Sequence, residues 1–380
     1  MSKPIVVYSA VGLVEGGTLS IAKAVFSAAE KDRSCFFIGL VHDKKLYPKY
    51  DNVKLIGVSS PKKNWFFRLY FEYVTSYRIS QRLSPAVWFA LHDISPRVYA
   101  DRQFVYCHNP TPFYRAGIRD LIFQPTVFVF SLFYRYLYRL NIRSNQAVFV
   151  QQSHIREYFQ QTFGINNVVV ARPSAAGSLD SAPSVEVCMG SPDKPKGKLR
   201  LFYPTLPRTF KNIELLIKTA KVLHQRDFND FEIRITVAKQ DSLYARYLMF
   251  LAKGVAGIRF IGSLSHQQVM DEYKQSDALV FPSKLETWGL PLSEAKSLGL
   301  PVLAADLSYA METLGEYAKV SFFNPDDPSV LADQIQAMAE GKHRFDGSSF
   351  KLPIVVPLVS GWDELLSYVT KDAGHRDLVP

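Results

Sequence analysis

The sequence predicts an α/β protein made of two Rossmann-like domains facing a central cleft. Three observations carry that expectation. The chain has 380 residues, beyond the roughly 250–300 residues at which a single core stops growing. Apolar, β-rich runs alternate with helical stretches in both halves. Between the halves, residues 173–198 change texture to Ser, Ala, Gly, Pro and charge, as a connection does. A hydrophobic fraction of 47% with 13% aromatics fills two cores and excludes disorder over the chain.

In the first domain, residues 1–172, strands are expected at 5–9, 35–41, 53–57, 104–107 and 147–151, with helices at 19–30 and 153–163. Residues 184–188 form a candidate small strand inside the linker. The second domain, residues 199–358, repeats the alternation. Its expected strands are 199–203, 232–237, 258–261, 278–281, 301–304 and 319–322, and its expected helices 212–224, 267–275, 291–298 and 328–339. Residues 359–380 are expected to pack back on the first domain. Ligands of open α/β sheets bind beyond the C-terminal strand ends, so both domains would supply loops to one site. A GxGxxG fingerprint is absent; the nearest glycine-rich piece is Gly12-Leu13-Val14-Glu15-Gly16-Gly17.

The formal charge is +10, and its distribution says more than its size. Residues 1–190 hold 22 Lys and Arg against 12 Asp and Glu, whereas the remainder holds 23 of each. A basic face attracts nucleic acid, anionic lipid or a phosphorylated substrate. Scattered basic residues without a recognition motif argue against nucleic acid. Cys35, Cys107 and Cys188 have no metal-like spacing and read as structural thiols of a reducing compartment. The N-terminus runs directly into a strand-like segment without signal-peptide features, so a cytoplasmic location is expected.

One segment carries the chemistry. After the strand at 278–281 comes Pro282-Ser283-Lys284-Leu285-Glu286-Thr287-Trp288-Gly289-Leu290-Pro291-Leu292-Ser293-Glu294. Proline suits the first turn of a helix, and a helix start reached through Gly289 offers free N–H groups to a phosphate. Glu286 and Glu294, eight residues apart across the bend, can accept hydrogen bonds from vicinal hydroxyls of a sugar or ribose.

This stretch resembles the Glu-x7-Glu region of the large retaining glycosyltransferase family numbered four, with its two-domain GT-B architecture and its bacterial mannosyl-, glucosyl- and rhamnosyltransferases. The likeness continues through Ala295-Lys296-Ser297-Leu298-Gly299-Leu300-Pro301-Val302, and Phe260-Ile261-Gly262-Ser263-Leu264 and Tyr273-Lys274-Gln275-Ser276-Asp277-Ala278 are similar to their family counterparts. The resemblance implies that Glu294 binds the nucleotide ribose, Glu286 the hydroxyls of the transferred sugar, and Gly289 and Leu290 the sugar and diphosphate through backbone N–H groups, with Gly262 on the donor side. Thr287 and Trp288 stand where the family commonly reads Gly-Phe, which leaves the donor sugar open. Pro207-Arg208-Thr209-Phe210-Lys211-Asn212 is similar to the loop whose Arg and Lys-Asn pair neutralise the diphosphate; Arg208 lies closer to the lysine than the usual arginine. Gly16 and Gly17 resemble the family's first glycine-rich loop, and His108 a histidine bordering acceptor and donor sugar.

The family resemblance further implies retention of configuration by same-face attack, with the leaving phosphate oxygen taking the acceptor proton. No Asp-x-Asp motif is present, so no metal or other cofactor is expected beyond the nucleotide-diphosphate sugar donor, GDP-, UDP- or dTDP-linked. The implied acceptor is lipid-linked or oligosaccharide, as in O-antigen or capsule assembly. The linker glycine Gly177 and residues 192–197 are the expected hinge. His92-Asp93 is a formal base-and-orienter pair, but adjacent residues need not face each other. Residues 64–71 and 125–143 mix aromatic surface with cations, as interfacial helices on an anionic membrane do, or else face the core. A soluble acceptor, a related epimerase or phosphorylase, and a non-catalytic sugar-nucleotide-binding subunit are the alternatives.

Overall fold

A computed structural model describes residues 3–14, 16–59, 64–109, 114, 116–173, 198–351 and 357–371. The linker expectations at Gly177, 184–188 and 192–197, together with Glu15 and Cys188, lie outside the described residues.

The chain opens with β1 (Ile5–Ala10), α1 (Gly16–Lys31), β2 (Phe36–Val41), β3 (Val53–Gly57), α2 (Trp65–Tyr70), a π-turn over Phe71–Thr75, α3 (Ser76–Leu83), β4 (Val87–Ala90) and β5 (Arg102–Cys107). It continues through α4 (Ile118–Phe123), α5 (Pro125–Arg139), β6 (Ala147–Val150), α6 (Ser153–Phe163) and β7 (Val168–Arg172). Then come β8 (Leu199–Tyr203), α7 (Ile213–Gln225), β9 (Phe231–Ile235), α8 (Leu243–Leu251), β10 (Ile258–Phe260), α9 (His266–Gln275) and β11 (Ala278–Phe281). After these follow α10 (Leu290–Ser297), β12 (Val302–Ala305), α11 (Ser308–Leu314), β13 (Glu316–Tyr317), β14 (Val320–Phe323), α12 (Pro328–Ala339), β15 (Ser348–Ser349), β16 (Leu358–Ser360) and α13 (Trp362–Thr370).

Two compact units result. The first comprises residues 1–112, 132–177 and 353–380, and the second residues 113–131 and 178–352. In the first, eight parallel strands run in the order β16-β7-β6-β5-β4-β1-β2-β3. Its core has two layers, one on each face of the sheet. One holds Tyr8, Phe37, Phe89, Phe104 and Phe149 with the inner faces of α1 and α13; Tyr8 and Phe37 stack at 5.9 Å. The other holds Val7, Ile38, Leu40, Trp88 and Phe71.

In the second unit six parallel strands run in the order β10-β9-β8-β11-β12-β14, beside a small antiparallel ribbon of β13 and β15. Its core gathers Phe202, Ile233, Leu279, Val280 and Leu303 on the two faces of the sheet, with Tyr273 of α9 packed edge to face on Phe202 at 5.2 Å. The segment around α4 joins this unit through Phe123, whose ring lies 4.8 Å from that of Tyr247, and Gln124, whose amide donates to the Pro207 carbonyl at 3.0 Å.

Both sheets reverse strand order at one point, between β1 and β4 in the first and between β8 and β11 in the second. Loops leaving adjacent strands there diverge to opposite faces and leave a crevice at the C-terminal edge, where ligands of such sheets bind. Strands β4 and β7 escaped the sequence expectation, as did α3, α8 and α11, whereas α2 falls within the helix expected at 64–71. A four-residue apolar run such as Val87–Ala90 has no alternation to separate strand from helix, because both its faces are buried.

Candidate active site

The second unit's crevice is built by the loops after β8 and β11. Gly289 has φ +82°, and its left-handed turn aims the chain into α10; a Cβ there would lie 3.2 Å from the Leu292 side chain. Pro291 sits in the first turn, and the Leu292 N–H closes on the Gly289 carbonyl at 2.9 Å. Leu290 opens the helix. Trp288 is buried, donates from Nε1 to Ser293 Oγ at 2.8 Å, and its carbonyl accepts from the Thr313 hydroxyl. Trp288, one of the two residues that depart from the common family wording, is therefore an internal pin of this loop.

The loop after β8 meets it. The Lys284 N–H donates to the Phe210 carbonyl at 2.8 Å, and Tyr203 OH donates to the Lys211 carbonyl at 2.9 Å. Lys211 Nζ is ion-paired with Glu286 Oε1 and lies 5.7 Å from the Phe210 ring centroid and 6.0 Å from that of Phe281. Both side chains are mostly buried, at 19% and 14% exposure. The pair joins the loops that follow the two strands flanking the switch point.

Glu294, one turn into α10, accepts from Tyr273 OH at 3.0 Å. Burial raises its pKa, against the opposing hydrogen bond from Tyr273 and the charge of His266. Asn212 takes the left-handed conformation at φ +55°, and its side chain donates to the carbonyls of Pro282 (3.2 Å) and Pro325 (2.8 Å). Its amide thus staples three loops. Arg208 is exposed, and among the described residues no ion pair engages it. Gly262 turns the chain at φ +79° just past β10, its N–H donating to the Val237 carbonyl at 3.3 Å.

The first unit has its own concavity at its switch point, a cavity of about 470 Å³ lined by residues including Gly12, Trp65, Arg68, Asp93, His108 and Tyr134. His108 follows β5 as expected. Asp93, at φ +73°, caps that strand: its Oδ1 accepts from the N–H groups of His108 (2.7 Å) and Asn109 (2.9 Å) and from Tyr138 OH (3.0 Å). His108 Nε2 is 3.9 Å from Asp93 Oδ2. His92 turns away from Asp93, with Nε2 2.8 Å from Ser9 Oγ and Nδ1 3.6 Å from Glu72 Oε1. Burial pushes the His92 imidazole well below its usual value, helped by the nearby Arg68 charge. Gly16 and Gly17 form the first turn of α1; Gly12 and Thr18 line the cavity.

Sequence reading missed Arg68 and Glu72 here. Their i,i+4 spacing was a legible signal, but it was submerged in an aromatic run. In the structure Arg68 Nε is 2.9 Å from Glu72 Oε1, and Glu72 is completely buried.

Among the described residues no group of three or more His, Cys, Asp or Glu side chains is placed to hold a metal ion.

Residues 190–346, covering most of the second unit, match the family model of glycosyl transferases group 1. The O-antigen chain mannosyltransferase RfbU of Salmonella typhimurium is 21% identical over 266 residues, covering 65% of this chain and 69% of the relative. Among solved structures, WaaG, a glycosyltransferase involved in lipopolysaccharide biosynthesis, superposes with a TM-score of 0.62 at 12% identity over 98% of this chain and 96% of that one. TarM gives a TM-score of 0.50 at 14% identity over 70% of this chain, which spans about half (51%) of the TarM chain. Two parallel-sheet units with switch-point crevices are the building blocks of the GT-B fold, and residues 190–346 of the second unit match a glycosyl transferases group 1 domain.

Proposed function

We propose that the protein transfers a hexose or deoxyhexose, with retention, from a nucleotide-diphosphate sugar to a saccharide acceptor carried on polyprenyl diphosphate in surface-polysaccharide assembly. The observation that carries this reading is the Lys211–Glu286 pair across the β8/β11 switch point, with Glu294 one turn into the adjoining helix. A cation and two carboxylates at the start of a helix match the three parts of such a donor. Lys211, Arg208 and the α10 N-terminus meet the diphosphate, Glu286 the sugar hydroxyls, and Glu294 the ribose.

In the step itself the anomeric C–O bond to phosphate breaks as the acceptor oxygen bonds to the same face. The acceptor proton passes to the departing diphosphate oxygen. Charge grows on that diphosphate, so Lys211 and Arg208 stabilise the transition state more than the ground state. This chemistry needs neither a protein nucleophile nor a metal. His108 would border the acceptor hydroxyl.

The membrane part of the reading is supported by exposed apolar rows. On α2 these are Phe66, Phe67 and Tyr70; on α5 they are Val129, Leu132, Phe133 and Tyr136, interleaved with exposed Arg135 and Arg139. Tyr134 and Tyr138 of α5 point inward. Helix α5 thus presents an apolar strip with cations and α2 an apolar strip alone, surfaces suited to the plane of an anionic bilayer. No helix among the described residues is long and apolar enough to cross one. Assembly of an O-antigen-like chain is suggested by the name of the Salmonella relative.

A mass-spectrometric screen of UDP-, GDP- and dTDP-sugars against polyprenyl-diphosphate-linked saccharides and soluble acceptors tests the whole reading. Product on a lipid-linked acceptor, undiminished after chelation, is expected. No product in any combination overturns the transfer, and product on soluble acceptors alone overturns the lipid carrier.

A further inference from the structure

The donor chemistry makes no use of the first unit's most unusual feature, a carboxylate buried beside an arginine that faces a cavity. Glu72 lies in the π-turn that interrupts the helical run between α2 and α3 and is completely buried. Such turns inside helices concentrate at functional positions. A buried carboxylate is retained when something compensates it, and here Arg68 does so at 2.9 Å, with His92 Nδ1 at 3.6 Å. The arginine is further held by a 3.4 Å donation from Nη2 to the His92 carbonyl.

Gly12, just past β1, makes room for it: a Cβ there would stand 2.6 Å from Arg68 Nη1. A π-turn, a buried carboxylate and a glycine therefore converge on one guanidinium at the cavity wall. Opposite in charge, Asp93 lines the same cavity. Two aromatic rings, Trp65 and Tyr134, complete it, edge to face at 6.1 Å. At about 470 Å³ it falls within the usual range of small-molecule sites, roughly 300–1,000 Å³.

The charge balance selects the occupant. Ionised, Glu72 neutralises Arg68, and Asp93 adds a second carboxylate, so a phosphate or carboxylate ligand would be opposed. A neutral polyol meets both needs, giving oxygen acceptors to the guanidinium forks and hydroxyl donors to a carboxylate. Its C–H face suits the aromatic rings.

We propose that Arg68 is the specificity-determining residue of a subsite for one neutral hexopyranose ring of the acceptor, and that Glu72 is a positioning residue acting through Arg68. This rests on reading the first unit as the acceptor side.

The test uses the full-length protein and saturation-transfer NMR titration with methyl α-mannopyranoside, methyl α-glucopyranoside, mannose 6-phosphate and glucuronic acid. GDP and UDP binding is measured in parallel by calorimetry. Expected is binding of a neutral hexoside in preference to both charged sugars, weakened roughly tenfold in Arg68→Met and several-fold in the near-isosteric Glu72→Gln. Because Glu72 works through Arg68, the double variant loses no more than Arg68→Met alone. Gly12→Ala, which pushes on the guanidinium without removing it, also weakens the hexoside and leaves nucleotide affinity unchanged. Preference for a charged sugar, unchanged affinity in the variants, additive losses, or no hexoside binding overturns the proposal. Loss of nucleotide binding in the wild type would instead overturn the donor reading, whatever the hexosides do.

Discussion

At the scale of single residues, the donor crevice depends on charge placed where water is largely excluded. On the proposed donor reading, replacing Lys211 by Met removes a cation that would meet the leaving diphosphate, and kcat is expected to fall roughly 10²–10³-fold, read by steady-state transfer. Glu294→Ala removes a carboxylate acceptor worth about 1.5–3 kcal/mol, so nucleotide affinity by calorimetry falls about 10–100-fold. Since burial raises the pKa of Glu294, nucleotide binding weakens on acidification at a higher pH than an ordinary glutamate would give.

The buried Glu72 and His92 make a second residue-scale prediction, about stability. Burial lifts Glu72 from 4.5 to about 7, although Arg68 opposes the rise. Between those values the native state keeps a proton that the unfolded chain has released, so this contribution to stability falls as pH rises. His92, held below 6.5, does the reverse: acid protonates it in the unfolded chain first, so its contribution rises with pH up to about that value. The two trends oppose each other. Glu72→Gln leaves the His92 trend uncompensated, and its urea midpoint should climb more steeply from pH 5 to 6.5 than that of the wild type. An equal slope in both proteins refutes the assignment.

Among the elements, α10 shows how a loop is aimed. Its entry requires φ +82° at Gly289, and a Cβ would crowd Leu292 at 3.2 Å. Gly289→Ala is expected to cost about 1–2 kcal/mol from the left-handed conformation alone, measured by denaturant unfolding. If the α10 start holds the diphosphate as proposed, donor KM should rise with it, because the helix start is turned out of line. Asn212 and Trp288 act at the same scale. Their side chains are spent on carbonyls and on Ser293, holding together the loops that carry Lys211, Glu286 and Glu294.

On the scale of the whole molecule, the C-terminal segment belongs to the first unit. Strand β16 extends that sheet beside β7, and Val359, Leu365, Leu366 and Val369 are buried in its core. At about 1.5–3 kcal/mol for each buried apolar side chain, ending the chain after Lys351 should cost on the order of 5 kcal/mol or more. Two units need not unfold together. The expected result is a marked downward shift in the unfolding transition of the first unit, with that of the second left in place; a shift of both equally would contradict this division.

Strand β1 beside the first switch point, β8 and β11 beside the second, the helix entry at Gly289 and the Glu286-to-Glu294 spacing were determined by the sequence itself. Periodicity, turn residues and proline at a helix start act over a few neighbours, and short-range physics is written in consecutive letters. The Lys211–Glu286 pair spans 75 positions, and only the adjacency of β8 and β11 in the sheet brings it together. The tertiary structure likewise decided that His92 and Asp93 part company, one toward Ser9 and Glu72 and the other beneath His108. It also decided that the aromatic run at 64–71 both exposes Phe66 and turns Arg68 toward a cavity. Which face of a short helix is buried depends on what packs against it, and that partner lies elsewhere in the chain.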